Sequence, residues 1–324
     1  MREMLQRAWL RRGVLARVLW PLSIVFGMLA ALRRAAYRSG LLKSTRLPVP
    51  VIVVGNVVVG GAGKTPVVRA IVARFRRQGI EVGIISRGYG GRSTACREVR
   101  RDSTAADVGD EPLMLARTCR VPVFVGRDRC EAARALLAAH PGTRLIVSDD
   151  GLQHLALARD IEICVFDDRG VGNAWLLPAG PLREPWPRDV DLALRTSGTP
   201  RGIKGFSIRR RLAPDAIRRD GTKQPLKDLK GKRLVAVAGI AAPDAFFAML
   251  RSNGLTLEKT IPLPDHHAFL VSPVEGGEIV CTEKDAVKLW RVRPDAWAVP
   301  LVTQIDTAFW QAFDSLVDAK LSSR

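Results

Sequence analysis

Short β-branched runs and longer amphipathic stretches interleave along this chain from residue 49 to its end. Runs at 49–54, 82–85, 121–125, 144–147, 161–166 and 190–194 have strand length and are largely apolar, the pattern of strands covered on both faces. Between them, apolar residues recur at helical spacing. One helix is predicted at 66–77, stopped at Gly79; a second is opened by Gly109-Asp110-Glu111-Pro112 and runs to Arg117. A third is led by Arg127-Asp128-Arg129 and runs to Ala139. Strand and helix in alternation predict an α/β unit with a mostly parallel sheet. Residues 92–108 read as an irregular polar loop. A Pro/Gly-rich stretch at 199–205 marks a boundary. Beyond it, strands at 234–237, 255–261, 279–281 and 298–303 alternate with helices at 243–253 and 307–319. The expected organisation is an N-terminal segment 1–46, a core 47–198 and a smaller α/β domain 199–324 completed by the last strand and helix.

The first strand leads into the densest chemistry. It breaks at Gly55-Asn56, passes Gly60, Gly61 and Gly63, and reaches Lys64-Thr65 before Pro66 opens a helix. Strand, glycine loop, Lys-Thr and helix in that order form the context of a phosphate-binding loop. With no Cβ in the way, backbone amides turn inward on phosphate oxygens. Lys64 then reaches the β- and γ-phosphates, Thr65 ligates Mg²⁺, and the helix N-terminus adds positive charge. Val58 stands where the general pattern has its first glycine.

Other loops point to the same edge of the sheet. Strand 144–147 ends in Ser148-Asp149-Asp150, hard oxygen donors suited to Mg²⁺ opposite such a loop; solvated loop acids give the same pattern. The loop SRGYGG from Ser86 follows another strand, at the edge where open parallel sheets bind ligands, and its Arg87 and Tyr89 fit an ordinary turn equally well. LLPAGPLREP, from Leu176, is a proline-fixed extended loop. It carries Arg183 and Glu184, a guanidinium for phosphate and a carboxylate for Mg²⁺. Asp110, taken alone, reads as a helix N-cap.

Charge adds a partner. Residues 1–50 hold ten Lys/Arg against Glu3 alone, and residues 201–233 hold twelve against Asp215, Asp220 and Asp228. These two zones carry nearly all of the formal +19. Two basic zones around a neutral nucleotide core point to a polyanion, nucleic acid or an anionic membrane. The uncharged run 18–32 lies between arginine clusters, interrupted by Pro21 and Gly27 and bracketed by Trp9, Trp20 and Tyr37. It is short of the ~20 residues of a comfortable span and has no cleavage site, so it reads as a membrane-interfacial helix, with a buried core helix as the alternative. Aromatics are scarce and no nucleic-acid motif occurs, which disfavours nucleic acid. Five scattered cysteines without a C-x-x-C pair fit a reducing compartment.

GNVVVGGAGKTP, SRGYG, GDEP, SDDGLQH, LLPAGPLREP, PDHH and TEKDAVK occur in this order across residues 55–288. With the basic apolar N-terminal segment, the series resembles the tetraacyldisaccharide 4′-kinases, the lipid A 4′-kinases of Gram-negative bacteria. The resemblance implies a P-loop NTPase-like domain with a mostly parallel sheet, joined by a short β linker to a smaller C-terminal α/β domain. It implies phosphorylation, by ATP with Mg²⁺, of the 4′-hydroxyl of a tetraacylated glucosamine disaccharide 1-phosphate. The place implied is the cytoplasmic face of the bacterial inner membrane, peripheral or monotopic. By the same resemblance Asp110 and His266 form a catalytic dyad alongside Lys64. Gly60, Gly61, Ala62, Gly63, Lys64, Thr65 and Pro66 hold the nucleotide, and Thr65, Asp149, Asp150 and Glu184 the metal. Arg87, Tyr89, Arg129, Gln153, His154 and Arg183 face the substrate. The loop also resembles that of ATPase or GTPase switches that deliver metals or membrane proteins, in which a lysine often stands where this chain has Val59. A nucleic-acid-stimulated ATPase is the remaining rival.

Overall fold

Strand β1 (Val51–Gly55) is buried at all five positions. It lies between β5 (Leu145–Asp149) and β6 (Ile161–Phe166), parallel to both. Covered on both faces, it has no polar side to present, which is why its sequence does not alternate. The structure, a computed structural model, describes residues 8–321 other than 62, 93, 94, 197, 201, 241 and 266.

A nine-stranded sheet grows outward from β1. On one side follow β5, β2 (Val82–Ser86), β4 (Val123–Val125) and β3 (Arg97–Glu98); on the other follow β6, β7 (Leu192–Thr196), β8 (Phe206–Leu212) and β15 (Leu301–Ile305). The two edge strands pair antiparallel and the rest are parallel. Helix α2 (Lys64–Arg77) buries Val67, Val68, Ile71, Val72 and Phe75 on one face of the sheet. Helix α5 (Arg129–Ala139) buries Cys130, Ala132, Ala133 and Leu136 on the other. Helices α3 (Ala105–Val108) and α4 (Asp110–Cys119) pack on the same face as α2, burying Val108, Leu113 and Leu115. Chain order crosses β1 between β5 and β6, so the crevice beyond the strands' carboxyl ends opens there.

A second sheet has the order β10 (Lys223–Pro225), β9 (Asp215–Ile217), β14 (Trp297–Val299), β13 (Glu278–Thr282), β11 (Leu234–Ala238), β12 (Leu257–Pro262). It carries α6 (Pro243–Ser252) and α7 (Glu283–Leu289). The predicted strand 298–303 is in fact two strands in different sheets. Proline, with no N–H to give a ladder, separates them: β14 ends before Pro300, and β15 crosses to pair with β8. The last helix, α8 (Thr307–Leu321), follows β15 onto the large sheet rather than completing the small one. There Phe309 and Phe313 are fully buried, and Phe313 meets Phe75 edge-on at 5.8 Å. Strand β8, in the basic zone, is not among the predicted elements although its residues alternate, and β9 and β10, with the pair β3 and α3 within the expected loop 92–108, carry no clear sequence signal.

Helix α1 (Val14–Arg38) runs through Pro21 and Gly27 without a break for 25 residues. Its window of mean hydropathy 1.9 is long and apolar enough to cross a membrane by length and composition, yet only 11% of that window is buried.

Candidate active site

The loop after β1 is fixed from inside. Asn56, fully buried, donates through Nδ2 to Gly60 O at 3.3 Å and accepts at Oδ1 from Lys64 Nζ at 3.4 Å. Gly60 and Gly63 have φ of 97° and 78°, the left-handed region where a side chain is strained. Lys64 and Thr65 open α2, two residues before the expected start at Pro66, which sits in the first turn where no N–H is needed. Ala62 lies outside the described residues. Two arginines that sequence reasoning missed flank the loop. Arg169 donates to Val59 O at 3.3 Å and Gly61 O at 3.1 Å while gripping the Asp167 carboxylate. Arg210, from β8, places its guanidinium against Gly63 where a Cβ would fall. Burial lowers its pKa, and Asp167 and Asp168 work in the opposite direction.

The paired aspartates end β5 beside this loop. Asp149 is 1% exposed, and its Oδ1 has no hydrogen-bond partner. Burial, with the charges of Glu111 and Asp150, raises its pKa to about 7 against the pull of Lys64 and Arg129. Asp150 is half-buried with φ 53°. Burial opposes its ionisation, but Lys64, at 3.6 Å, and Arg183, at 2.8 and 3.2 Å, hold it well below the usual carboxylate range. The orphaned buried carboxylate oxygen of Asp149, with the adjacent Asp150 carboxylate and the Thr65 hydroxyl in the first turn of α2, offers hard-oxygen donors of the kind that fits Mg²⁺. Glu184, the fourth expected ligand, engages other groups: it accepts from Gln153 Nε2 at 2.6 Å and Arg188 at 3.1 Å. It braces Gln153, which also donates to Asn56 O at 3.0 Å.

The remaining sequence candidates divide. Arg129 is 4% exposed, lowered in pKa mainly by burial, and donates to Asp150 O at 3.2 Å. His154 Nε2 accepts the Arg129 backbone N–H at 3.3 Å; burial, then the Arg129 charge, push its pKa down. Arg87 and Tyr89 are exposed on the loop after β2, at the same carboxyl edge.

Asp110 is not the N-cap of its helix. Gly109, with φ 90°, takes that position, and Asp110 is the first helical residue, 6% exposed. Lys288 of α7 donates to its Oδ2 at 2.7 Å. The same short helix sets Lys284 at 3.6 Å from Glu111 and 3.1 Å from Asp265, and pairs Glu283 with Arg69 of α2. His266 lies outside the described residues. Its neighbour Asp265 is held by Lys284, and His267 packs edge-on against Phe269 at 4.9 Å.

This arrangement spans both sheets, and so does the family match: a model described as LpxK, tetraacyldisaccharide-1-P 4′-kinase, covers residues 15–321. The chain belongs to the tetraacyldisaccharide-1-P 4′-kinase family. A protein named tetraacyldisaccharide 4′-kinase from Acidovorax sp. (strain JS42) is 57% identical over 99% of this chain and 95% of its own. A protein of that name from Polaromonas naphthalenivorans is 52% identical over 99% and 97%. Among solved structures, one described as the apo form of LpxK from Aquifex aeolicus in complex with ATP superposes with a TM-score of 0.82. It is 28% identical and covers 94% of this chain and 99% of its own.

In this member of the 4′-kinase family, α1 rests on the proline-rich loop that carries Arg183. Ser23, 4% exposed, donates to Leu176 O and accepts from Ala179 N, each at 2.9 Å. Trp9 Nε1 donates to Pro178 O at 2.9 Å, and a Cβ on Gly27 would come within 2.8 Å of Leu176. Arg34, near the end of α1, stands 3.7 Å from Glu184. The helix is therefore a structural neighbour of the site.

Proposed function

We propose that this chain transfers the γ-phosphoryl group of ATP to the 4′-hydroxyl of a tetraacylated glucosamine disaccharide 1-phosphate, with Mg²⁺. The observation that carries the reading is the joint presentation of Lys64, the Asp149–Asp150 pair and buried Asp110 at the carboxyl edge of one sheet. The amides of Gly60, Gly61 and Gly63 and the Lys64 ammonium hold the phosphates. Thr65, Asp149 and Asp150 would hold Mg²⁺, which when bound neutralises phosphate charge. Arg183, once drawn from Asp150, has the planar fork to grip a phosphate. In the transfer, the bond from the sugar oxygen to γ-phosphorus forms and the bond to the β,γ-bridging oxygen breaks. ADP leaves, and the hydroxyl proton passes to Asp110. His266, which follows β12 in the chain, is the proposed partner of that carboxylate. Arg87, Tyr89, Arg129, Gln153 and His154 line the edge where the sugar enters.

A membrane surface fits the way α1 is held. Its less exposed positions, Ala16, Leu19, Ser23, Phe26, Gly27 and Arg34, form one stripe toward the protein, while Val14, Val18, Leu22, Val25, Leu29 and Leu32 are turned out. A helix docked along its length on a polar domain lies in the interface rather than across it. We place the enzyme on the cytoplasmic face of the inner membrane, its arginines toward anionic lipid. The test is ATP turnover by the full chain with four additions: acylated disaccharide 1-phosphate, its deacylated form, nucleic acid, or a metal-loaded acceptor protein. The acylated disaccharide alone should drive turnover and gain one phosphate. Turnover driven by nucleic acid or by the acceptor protein, with no phosphorylated lipid, would overturn the proposal.

A further inference from the structure

We propose that Lys288, on the second sheet, is a positioning residue for Asp110, so that the proton acceptor is set for transfer only when the two sheets are together. The inference rests on Asp110 being that acceptor. Lys288 and Asp110 are each 6% exposed, their contact is 2.7 Å, and they lie 178 residues apart. Two charges removed from water at a seam are an expensive way to gain stability, since apolar pairs of similar volume do as well or better. A role in chemistry explains the expense.

The surroundings favour orientation over packing. Lys288 sits over the Phe269 ring at 5.9 Å, which suits a cation. Asp285 lies three residues earlier on the same face of α7, fully buried and fixed by Thr282 Oγ1 at 2.6 Å and Gly239 N at 3.0 Å. A Cβ on Gly239 would meet Asp285 Oδ1 at 2.9 Å, His267 Cβ at 3.2 Å and Pro264 O at 3.3 Å. The base of α7 thus abuts the segment that carries His266, and Lys288 extends from the same helix to Asp110. A cation on a carboxylate weakens it as a base. Phosphoryl transfer through a loose transition state asks little of base strength and much of position, so the exchange favours rate.

Lys288→Met in the full chain should lower kcat by about 10- to 100-fold with KM for ATP unchanged, because the phosphate loop is untouched. Lys288→Arg should recover most of that loss. Asp110→Asn/Lys288→Met should be no slower than Asp110→Asn alone, since the two act as a unit. Lys288→Gln keeps a polar end at this buried place but is one bond too short to hold Asp110; it should fold even if the Met variant does not, and it should show the same fall in kcat. Wild-type kcat in Lys288→Gln, or losses that multiply in the double variant, would overturn the inference while leaving Asp110 as the acceptor. An active Asp110→Asn enzyme would instead remove the reading on which the inference rests.

Discussion

Replacing Ser23 by Val should free α1 from the kinase core and disturb a loop that carries Arg183. Ser23 is one of two buried residues in a helix whose other side chains are largely exposed, so its two hydrogen bonds are a large part of the docking. Val is close in volume but neither donates nor accepts. The Ala179 N–H, bonded to Ser23 Oγ at 2.9 Å, would lose its partner, while the Leu176 carbonyl would lose the Ser23 hydroxyl but keep the Gly180 N–H at 2.9 Å. An orphaned group costs about 1–3 kcal/mol, so about 2 kcal/mol, or about 30-fold in the opening equilibrium, is expected. Hydrogen exchange read peptide by peptide should show amides of 173–182 exchanging about 30-fold faster, with strands β1 and β5 unchanged. Because residues 176–182 lead directly into Arg183, kcat should fall as well. Protection of 173–182 within about 3-fold of wild type would show that the helix is held by other contacts and that the reasoning from Ser23 is wrong.

Lys64→Ala should abolish phosphoryl transfer with the fold intact, read as lost turnover at saturating ATP with an unchanged circular dichroism spectrum; near-normal turnover would reject the phosphate-loop role. Arg169→Met should raise KM for ATP about 10-fold, because the loop carbonyls at Val59 and Gly61 lose their donors; an unchanged KM would refute it. The Asp285 carboxyl is raised mainly by burial, against hydrogen bonds from Thr282 and Gly239. A raised folded-state value gives stability that is present below the unfolded pKa and lost as pH rises through the folded one. Asp285→Asn should therefore gain in Tm relative to wild type as pH rises above the ordinary carboxylate value of about 4, and a pH-independent difference would refute this. Deleting residues 1–38 should weaken co-sedimentation with anionic vesicles, and high salt should weaken the full chain's binding only partly, because apolar burial is unscreened. Equal binding by the shortened chain would reject the anchor.

Local signals were legible and distant pairings were not. The phosphate loop announces itself because strand, glycines, Lys64 and Thr65 are consecutive, and the Asp149–Asp150 pair does so because a strand end is a local event. Arg210 gave no such sign. It lies among three successive arginines, and only the pairing of β8 with β7 turns it toward Gly63. A strand rule applied to 206–212 would have found its alternation, with Ile208 and Leu212 buried and Arg209 and Arg211 outward. Asp110 read as a cap because its partner lies 178 residues away, beyond any window of periodicity. Pro21 pointed to a break that did not occur: helix propensity is a weak prior, and docking on residues 173–182 holds the helix through it. The last strand and helix were grouped with their sequence neighbours, since nothing local says that β15 crosses back.

That crossing has a mechanical consequence for how the site is assembled. The chain leaves the large sheet through β8 and returns through β15, and the two strands are paired from Leu212↔Leu301 to Ile208↔Ile305. Beyond the pair, Ala213 N still donates to Pro300 O at 2.8 Å. The second sheet is thus tethered by two adjacent, hydrogen-bonded strands, which resist sliding and twisting more than bending about the line between them. A tether of this kind gives rotation of one sheet toward the other as the easy motion. The groups such a rotation would separate are Lys288 from Asp110, Lys284 from Glu111, and Glu283 from Arg69. Lys64, Asp149, Asp150 and Arg183 all belong to the large sheet and would move together, so the proposed nucleotide site stays assembled without closure. On the proposed roles of Asp110 and His266, alignment of the acceptor would require it, through Lys288 and the segment bearing His266. A kinase built this way can hold ATP on its phosphate loop while transfer waits for the second sheet, which limits loss of the phosphoryl group to water.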